Sequence, residues 1–519
     1  MKKSFVLSGV FAVATILFTV LIINVYNDYN VPENGTEFND GIYIDDKYYD
    51  AGIMEKIKEE NFPSESEIKL EYPDKTIITW LLSSNSLFDY VCHFPTNQVN
   101  EYLNQQGCDY VVCFKLLEKH DECYLNAVDN LKKEDVQFDI LSPSYSLNNE
   151  EFENNYHRDA ISGLLEPLDE YFSNTIIGNA YYDSMPPEYF DSFRVNGKIY
   201  GISGVANNLQ GKIGFSIDSE LANKYKWDFS KSIVEQITLL KSVKEQENEV
   251  CPVYCGNYGE IIYYPNNFDH WYGICWNSDL EKIDAITNDT AYLDILKLLY
   301  RLKDENLLSY NEKIDANCFV MLERQNAFSS ANGTYTTTMN GKLYTRKYIA
   351  ETHTYISNVI NAIGISAESV YKQEAFDFII RTQTDPYLNN LLVFGDSTNN
   401  SIEDNTVINS QYSVINFYRF GNLSACYPFD SFPNTINQQY ADIYEHSTIC
   451  PYLGFAPDIS SVKSEYLAIK KTMLTHDYMA YENADLSLRA LNEKLIDDGI
   501  ITLLDELNEQ YKDWMGFSQ

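Results

Sequence analysis

Residues 186–204 have the sequence Pro-Pro-Glu-Tyr-Phe-Asp-Ser-Phe-Arg-Val-Asn-Gly-Lys-Ile-Tyr-Gly-Ile-Ser-Gly, the most informative stretch of the chain. Asn196 and Gly197 both tolerate the positive φ angles that a tight two-residue hairpin turn requires. The pattern therefore predicts a β-hairpin with arms at 193–195 and 198–202. A surface hairpin in an unrelated domain would have the same pattern, so the flanking sequence has to distinguish the two interpretations.

A predicted short helix precedes this hairpin, and a glycine-containing segment follows it. Pro186 and Pro187 start a short amphipathic element, because proline suits the first turn of a helix, and Gly201 and Gly204 loosen the chain after the second arm. The order of a helix, then Val-Asn-Gly-Lys-Ile-Tyr-Gly, then a flexible exit resembles the first interlobe crossing of bacterial extracellular solute-binding proteins. These are the ligand-capturing subunits of ABC importers. The resemblance implies that Gly201 and Gly204 act as hinge pivots.

Strands and helices alternate upstream of the hairpin. The run 76–82 is continuously apolar and β-branched, as in a parallel strand covered on both faces, and 110–117 and 138–141 are predicted as two further strands. Helices are predicted near 96–105 and 121–133. Alternation at this spacing favours right-handed βαβ units and a doubly wound sheet.

Polar residues follow the first and third predicted strands. Ligands of doubly wound sheets bind beyond the carboxyl ends of the strands. The candidate ligand-binding residues of the first lobe are therefore Ser83, Asn85, Ser142, Ser144 and Tyr145. Helix capping is the alternative role for the serines.

Three residues are candidates for ligand binding from the second lobe, namely Trp271, Asn332 and Tyr335. Aromatic rings offer platforms to the apolar faces of sugars, but in a chain with 42 tyrosines they are also common packing residues. Trp80 lies inside a predicted strand, and we interpret it as a core residue instead of a platform.

The resemblance to solute-binding proteins extends along the chain. The sequence Gly-Leu-Leu-Glu-Pro-Leu-Asp at 163–169 is similar to the family's opening lobe, and 359–366 and 385–395 resemble the return to that lobe and the helix after it. Residues 454–458, three amphipathic helices and the motif at 492–500 resemble the C-terminal domain of one subgroup of large sugar-binding-type lipoproteins.

This resemblance to family 1 solute-binding proteins implies a fold class and a domain organisation. The fold is an α/β, periplasmic-binding-protein-like type II fold, with two lobes of doubly wound sheets joined by a hinge, plus C-terminal helices. The predicted segments are a membrane anchor or signal segment at 1–26, an acidic tether at 27–71, lobe 1 at 72–203 and 357–425, and lobe 2 with the helical subdomain at 204–356 and 426–519.

The N-terminus predicts a membrane segment. Lys2 and Lys3 precede residues 5–26, which carry no charge and as a helix would span a hydrocarbon core of about 30 Å. Basic residues before this run and acidic residues after it orient the bulk of the chain to the outside. An uncleaved anchor is favoured, and a cleaved signal peptide is the alternative. The family's usual lipid anchor needs a cysteine at the end of the apolar segment, whereas the first cysteine here is Cys92.

Composition excludes some functions. A net charge of −38 repels phosphate backbones, so we expect no nucleic-acid partner. Ten cysteines outside the membrane are compatible with disulfides, whose connectivity the sequence leaves open. The chain has no cysteine or histidine set at zinc spacing and no glycine-rich loop that would cradle a phosphate, so we expect neither a metal nor a cofactor.

Together these features predict an extracytoplasmic solute-binding protein that is not an enzyme. The resemblance implies a monomer that captures its ligand by hinge closure and delivers it to the permease subunits of an ABC importer. A carbohydrate or oligosaccharide is the expected ligand, because aromatic and polar side chains combine in sugar sites. The open alternatives are a peptide or another small solute, a ligand-sensing ectodomain, and a secreted glycoside hydrolase whose carboxylate pair is hidden among 76 acidic residues.

Overall fold

The structure is a computed structural model, and it describes part of the chain. The described residues are 42–44, 47–49, 60–83, 94–117, 128, 131–133, 136–142, 155–204, 209–210, 212–247, 249–255, 271–310, 317–325, 334–339, 342–348, 355–356, 358–359, 362–394, 401–403, 406–408, 421–422, 425, 427 and 447–517.

Strands and helices are numbered in chain order. The strands are β1 (Ile42–Ile44), β2 (Lys47–Tyr49), β3 (Thr76–Ser83), β4 (Tyr110–Leu117), β5 (Ile140–Leu141), β6 (Arg194–Val195), β7 (Lys198–Ile199), β8 (Gly201–Ile202), β9 (Leu209–Gln210), β10 (Lys212–Asp218), β11 (Cys251–Cys255), β12 (Ile274–Asn277), β13 (Lys282–Ala285), β14 (Leu308–Tyr310), β15 (Cys318–Gln325), β16 (Thr334–Met339), β17 (Lys342–Tyr348), β18 (Tyr355–Ile356), β19 (Ile363–Ile365), β20 (Ser401–Glu403), β21 (Thr406–Ile408) and β22 (Thr448–Ile449). The α-helices are α1 (Glu65–Glu71), α2 (Thr96–Gln105), α3 (Asn155–Ile161), α4 (Asp169–Asn174), α5 (Ile176–Ser184), α6 (Pro187–Asp191), α7 (Ser219–Tyr225), α8 (Ile237–Gln246), α9 (Thr290–Asp304), α10 (Lys372–Thr384), α11 (Pro386–Phe394), α12 (Lys463–Thr475), α13 (Ala484–Asp497) and α14 (Ile500–Phe517).

The chain divides into two compact units. The first unit contains Glu37–Gln210 and Tyr355–Asp458, and the second contains Gly211–Thr354 and Ile459–Gln519. The lobe boundaries drawn from the sequence lie at 203/204, 356/357 and 425/426, and that division stays a prediction. Within the first unit, β9, β18 and β22 pair in one small sheet in the order β22-β18-β9. β9 ends where the chain leaves this unit, and β18 begins where it returns.

The main sheet of the first unit has the strand order β4-β3-β5-β19-β8. β3 pairs in parallel with β4 and β5, and β19 runs antiparallel to β5 and β8. Ile78, Trp80 and Leu81 of β3 are fully buried, as the uninterrupted apolar run predicts for a strand covered on both faces. The predicted α/β sheet is confirmed, and β4 and α2 have the predicted bounds.

The hairpin at 194–199 forms as predicted. β6 pairs with β7 around Asn196 and Gly197, whose φ angles are +51° and +82°, and Pro187 occupies the first turn of α6. The second arm is shorter than predicted, because the Tyr200 N–H donates to the hydroxyl of Tyr156 (3.0 Å) instead of continuing the ladder. The chain then joins the main sheet as β8.

The second unit is built on a six-stranded mixed sheet in the order β14-β11-β15-β10-β17-β16. β14, β11 and β15 are parallel, whereas β10, β17 and β16 pair antiparallel. The side chain of Asp218 ends β10 by capping α7, accepting from the backbone N–H groups of Glu220 and Leu221 at 3.0 Å each. Aspartate is a favoured N-cap because its carboxylate accepts from the free backbone N–H groups of the first helical turn.

The three C-terminal helices are present as predicted and pack within the second unit. The side chain of Asn508 on α14 accepts from the N–H of Ile283 (3.0 Å) and donates to its carbonyl (2.8 Å), as a neighbouring strand would. The Tyr300 hydroxyl of α9 donates to the carbonyl of Tyr478 (2.6 Å), which fixes the connection between α12 and α13. Hydrogen bonds therefore join α14 to β13, and the connection between α12 and α13 to α9.

None of the helices in the described part of the chain combines the length and apolar character that crossing a membrane requires. The predicted membrane segment, residues 5–26, lies outside the described residues.

Candidate functional site

The carboxyl ends of four strands meet at one edge of the main sheet in the first unit. β3, β4 and β5 are parallel, and β8 shares their direction because β5 and β8 are both antiparallel to β19. Ser83 ends β3, Ser142 directly follows β5 and Ser203 directly follows β8. Three serines therefore lie at the edge where doubly wound sheets bind ligands.

Ser142 is held in place by Trp80. The indole Nε1–H of Trp80 donates to the Ser142 hydroxyl at 2.8 Å. The ring itself is fully buried and packs against Phe114 and, edge to face, against Phe378 at a centroid distance of 5.7 Å. The interpretation of Trp80 as a core residue is confirmed. A hydroxyl that accepts from the indole keeps its own O–H as a donor, so this half-buried serine can present a fixed donor at the edge.

Ser203 is a further candidate site residue, and it was not among the candidates chosen from the sequence. It is 2 % exposed, and its hydroxyl makes no hydrogen bond with the described part of the protein. Its carbonyl accepts from the Tyr189 hydroxyl at 2.5 Å, and that hydroxyl lies 2.8 Å from the hydroxyl of Tyr181. A buried hydroxyl without a hydrogen-bond partner destabilises the folded protein by about 1–3 kcal/mol. A ligand that forms a hydrogen bond with Ser203 would remove this destabilisation. The sequence feature that points to Ser203 is its position directly after the predicted second hairpin arm, 198–202.

A buried carboxylate at the amino end of β5 has a structural role. Asp139 is 1 % exposed and accepts from the Thr79 N–H (2.8 Å) and the Ser369 hydroxyl (2.5 Å). Because both its oxygens are satisfied by neighbouring segments, Asp139 connects β3, β5 and the segment after β19. It is therefore a poor candidate for acid–base chemistry.

Only some of the predicted ligand-binding residues of the first unit lie within the described part of the chain. Ser83 and Ser142 come together, since Ser142 lies one position beyond the paired residues Leu81 and Leu141 of β3 and β5. For Ser83 only the backbone is described, and Asn85, Ser144 and Tyr145 lie outside the described residues. Their roles in ligand binding stay predictions.

The predicted residues of the second unit are placed only in part. Trp271 is 5 % exposed and packs against Tyr466 at a centroid distance of 5.0 Å. The backbone of Tyr335 lies in β16, paired with Arg346, and Asn332 lies outside the described residues. Their contributions to a site stay predictions.

The two predicted hinge glycines lie in the first unit. Gly201 pairs with Gly364 across β8 and β19, where a Cβ atom on Gly201 would come within 2.8 Å of the Ile363 carbonyl oxygen. Close approach of two strands therefore explains this glycine. Gly204 is buried two residues beyond β8. A pivot role for either residue stays a prediction.

Within the described ranges, no group of three or more His, Cys, Asp or Glu side chains is arranged to hold a metal ion. The described residues of the carboxyl edge include the hydroxyls of Ser142 and Ser203, and hydroxyl and backbone polar groups bind neutral polar ligands through hydrogen bonds.

Two parts of the sequence comparison show which known proteins this chain is similar to. Residues 451–516 match the model of a domain of unknown function, DUF3502. A carbohydrate ABC transporter substrate-binding protein of Streptococcus pneumoniae serotype 4 (strain ATCC BAA-334 / TIGR4) is 25% identical over 400 residues, covering 70% of this chain and 79% of the relative.

The chain is also similar in fold to solved structures. The N-glycan transport solute binding protein NgtS from Streptococcus pneumoniae has a TM-score of 0.67 at 20% identity, with 86% of this chain and 100% of that chain covered. The same protein in complex with Man5GlcNAc has a TM-score of 0.57 at 21% identity, with coverage of 86% and 100%. The periplasmic-binding-protein-like two-lobe fold and the resemblance to carbohydrate-type solute-binding proteins are thereby confirmed.

Proposed function

We propose that this protein is the extracytoplasmic solute-binding subunit of an ABC importer and that it captures an oligosaccharide. The curated relative is named as a carbohydrate ABC transporter substrate-binding protein, and NgtS has been solved with a bound glycan. Capture by closure of the two units on the ligand, followed by delivery to the permease subunits, is part of this proposal. The protein acts as a monomer and without chemistry of its own.

The observation that carries the proposal is the row of hydroxyls at the carboxyl edge of the main sheet. Ser142 is oriented by a buried indole, and Ser203 has a buried hydroxyl with no partner in the described part of the protein. Sugars carry many hydroxyls that donate and accept at once, so a rigid row of protein hydroxyls suits them. We propose that Ser83, Asn85, Ser144 and Tyr145 complete this edge, and that Trp271, Asn332 and Tyr335 contribute from the second unit.

The N-terminal segment defines the proposed location. We propose that residues 5–26 hold the protein at the outer face of the cell membrane, which would keep capture close to the permease. Mass spectrometry of the membrane fraction tests this: the expected mature chain retains these residues, and one that begins beyond Tyr26 would contradict the anchor.

A thermal-shift screen tests the ligand class. Purified protein is mixed with mannose-containing, fructose-containing and glucose-containing oligosaccharides, and separately with a peptide mixture. A ligand at 100 times its Kd stabilises the folded state by about 2.7 kcal/mol, which raises the melting midpoint measurably. Stabilisation by an oligosaccharide supports the proposal. Stabilisation by peptides alone would assign the protein to the alternative class, and release of hydrolysed sugar would make it an enzyme.

Two variants separate ligand contact from packing at Ser142. Ser142→Ala removes the hydroxyl, while Trp80→Phe removes the indole N–H that the hydroxyl accepts from. If Ser142 contacts the sugar, Ser142→Ala weakens affinity more than Trp80→Phe does, at similar losses of stability. Equal affinities for both variants would limit Ser142 to supporting Trp80. Ser173→Ala, on the exposed face of α4, is the matched control.

A further inference from the structure

Two cysteines occupy facing positions on neighbouring strands of the second unit. Cys251 begins β11 and Cys318 begins β15, and the two residues are directly paired in the parallel register of these strands. The position of Cys251 is fixed because its N–H donates to the carbonyl of Asn317 at 2.8 Å. Among the paired strands of the described chain, no other cysteine faces a second cysteine.

The spacing of such a pair suits a disulfide. Neighbouring strands lie about 4.8 Å apart, and disulfides join residues whose Cα atoms are about 4.4–6.8 Å apart. Side chains at paired positions of parallel strands also point to the same face of the sheet. Cys251 packs against the small cluster that contains Cys318, Tyr254, Met321 and Tyr344, so both thiols lie in one apolar environment.

The two thiols are reduced in the structure and differ in exposure. Cys318 is 4 % exposed, whereas Cys251 is partly exposed and its Sγ lies 3.1 Å from the Val253 carbonyl oxygen. A change of the Cys251 χ1 rotamer, which is an ordinary side-chain motion, redirects its sulfur. The more exposed thiol is the natural point of attack by an external oxidant.

We propose that Cys251 and Cys318 form an oxidisable dithiol that closes to a disulfide when the protein meets an external disulfide. The Cys251 thiolate attacks the external disulfide, releasing one thiol and forming a mixed disulfide. The Cys318 thiolate then attacks the Cys251 sulfur and displaces the second thiol. The two protein thiols lose two electrons and two protons, and the external disulfide is reduced to two thiols.

The location gives this bond a function. Cys251 and Cys318 lie at the amino ends of their parallel strands, opposite the edge where the carboxyl ends meet. Closing the long loop between them restricts the unfolded chain and so stabilises the second unit without touching a site at the opposite edge. An extracytoplasmic location, which rests on the proposed function, supplies the oxidising environment in the cell.

Peptide mapping tests the pairing directly. Full-length purified protein is incubated with oxidised glutathione, its remaining thiols are alkylated after unfolding, and it is digested without reduction. A linked peptide that joins Cys251 to Cys318 supports the proposal. Alkylation of both cysteines, or a link from either of them to another cysteine, would overturn it. This result does not depend on finding a ligand, so it can fail or succeed independently of the proposed function.

Variants test the stabilising role. Cys251→Ala and Cys318→Ala should each abolish the fall of the melting midpoint that a reductant causes in the oxidised wild type. Cys255→Ala, on the same strand, is the control and should keep that fall. A wild type whose midpoint does not respond to reductant, although the linked peptide is present, would contradict the stabilising role.

Discussion

The close approach of two strands explains Gly201 and leads to a prediction. A Cβ atom at this position would lie 2.8 Å from the Ile363 carbonyl oxygen and 3.0 Å from the Cβ of Ala362. We expect Gly201→Ala to destabilise the first unit by about 1–3 kcal/mol, because backbone has to move to admit the methyl group. Urea unfolding measures this change.

Gly516→Ala is the control for this substitution. Gly516 lies in α14 with open space around it, so alanine there should leave stability unchanged or slightly raised. If Gly201→Ala leaves stability intact but weakens ligand binding, Gly201 acts as a pivot instead of a packing residue.

The buried hydroxyl of Ser203 predicts two effects of opposite sign. Ser203→Ala removes a hydroxyl that has no hydrogen-bond partner in the described part of the protein, and we expect the ligand-free protein to become more stable by about 1 kcal/mol. The same variant should bind the sugar more weakly, because the hydroxyl that the ligand would satisfy is gone. Unfolding and titration calorimetry measure the two effects. Unchanged affinity would remove Ser203 from the site.

Asp159 predicts a pH-dependent change of stability. It is fully buried on α3, and burial raises its pKa from 3.8 to about 6 against the lowering effect of the Arg158 guanidinium. The folded state therefore holds its proton more tightly than the unfolded state does. Protonated Asp159 therefore favours the folded state. This stabilisation is fully present below pH 3.8 and is lost as pH rises through about 6.

We therefore expect Asp159→Asn to stabilise the protein by about 2 kcal/mol at pH 7.5 and by much less at pH 4. Unfolding by urea at both pH values provides the comparison, with the exposed Asp183→Asn as the control. A stabilisation of equal size at both pH values would show that the effect comes from packing instead of ionisation.

For single residues, the sequence predicted backbone conformation better than it predicted side-chain contacts. Asn196 and Gly197 could be predicted because a two-residue turn restricts φ locally. The bond from Trp80 to Ser142 could not, since it joins residues on different strands whose register appears only in the folded sheet. The burial of Ser203 could not be predicted for the same reason, because burial at a sheet edge depends on distant segments.

At the level of secondary structure, the bounds of one helix and one strand of the first unit were predicted closely. The bounds of α2 and β4 are those expected, and those of β4 are set by an apolar run that lies between Asp109 and Glu118. The second hairpin arm was predicted too long, since the Tyr156 hydroxyl, far away in sequence, takes the Tyr200 N–H out of the ladder. Tertiary hydrogen bonds of this kind leave no local signal.

The contact between α14 and β13 gives the next prediction. Asn508 satisfies both backbone polar groups of Ile283, so Asn508→Leu leaves a part-buried N–H and C=O without their partner. We expect a loss of about 2–3 kcal/mol from the second unit, measured by urea unfolding. Glu509→Ala, exposed on the same helix, is the control and should change stability little. A similar loss in both variants would mean that α14 is weakened as a helix and that its contact with β13 contributes little.

For the molecule as a whole, the resemblance to solute-binding proteins predicted two α/β lobes and C-terminal helices. The resemblance carried this inference, because it recognises an order of motifs along the chain. Which segments pack with which unit is a different question. Residues 447–458 belong to the first unit, where the Asn358 side chain donates hydrogen bonds to the Tyr452 and Phe455 carbonyls. Such long-range pairing is invisible in a single sequence.

The excess of acidic residues predicts how the whole chain responds to salt. With 76 acidic and 38 basic residues, the folded protein repels itself at neutral pH, and the expanded unfolded chain relieves part of that repulsion. Salt shortens the Debye length from about 30 Å at 0.01 M to about 8 Å at 0.15 M, which weakens repulsion between distant carboxylates more than attraction within close ion pairs. We therefore expect the melting midpoint to rise between these salt concentrations, equally for sodium and potassium chloride. A midpoint that falls would mean that surface pairs such as Lys241–Glu305 and Arg381–Asp377 outweigh the net charge. A rise with only one of the two salts would indicate binding of a specific ion.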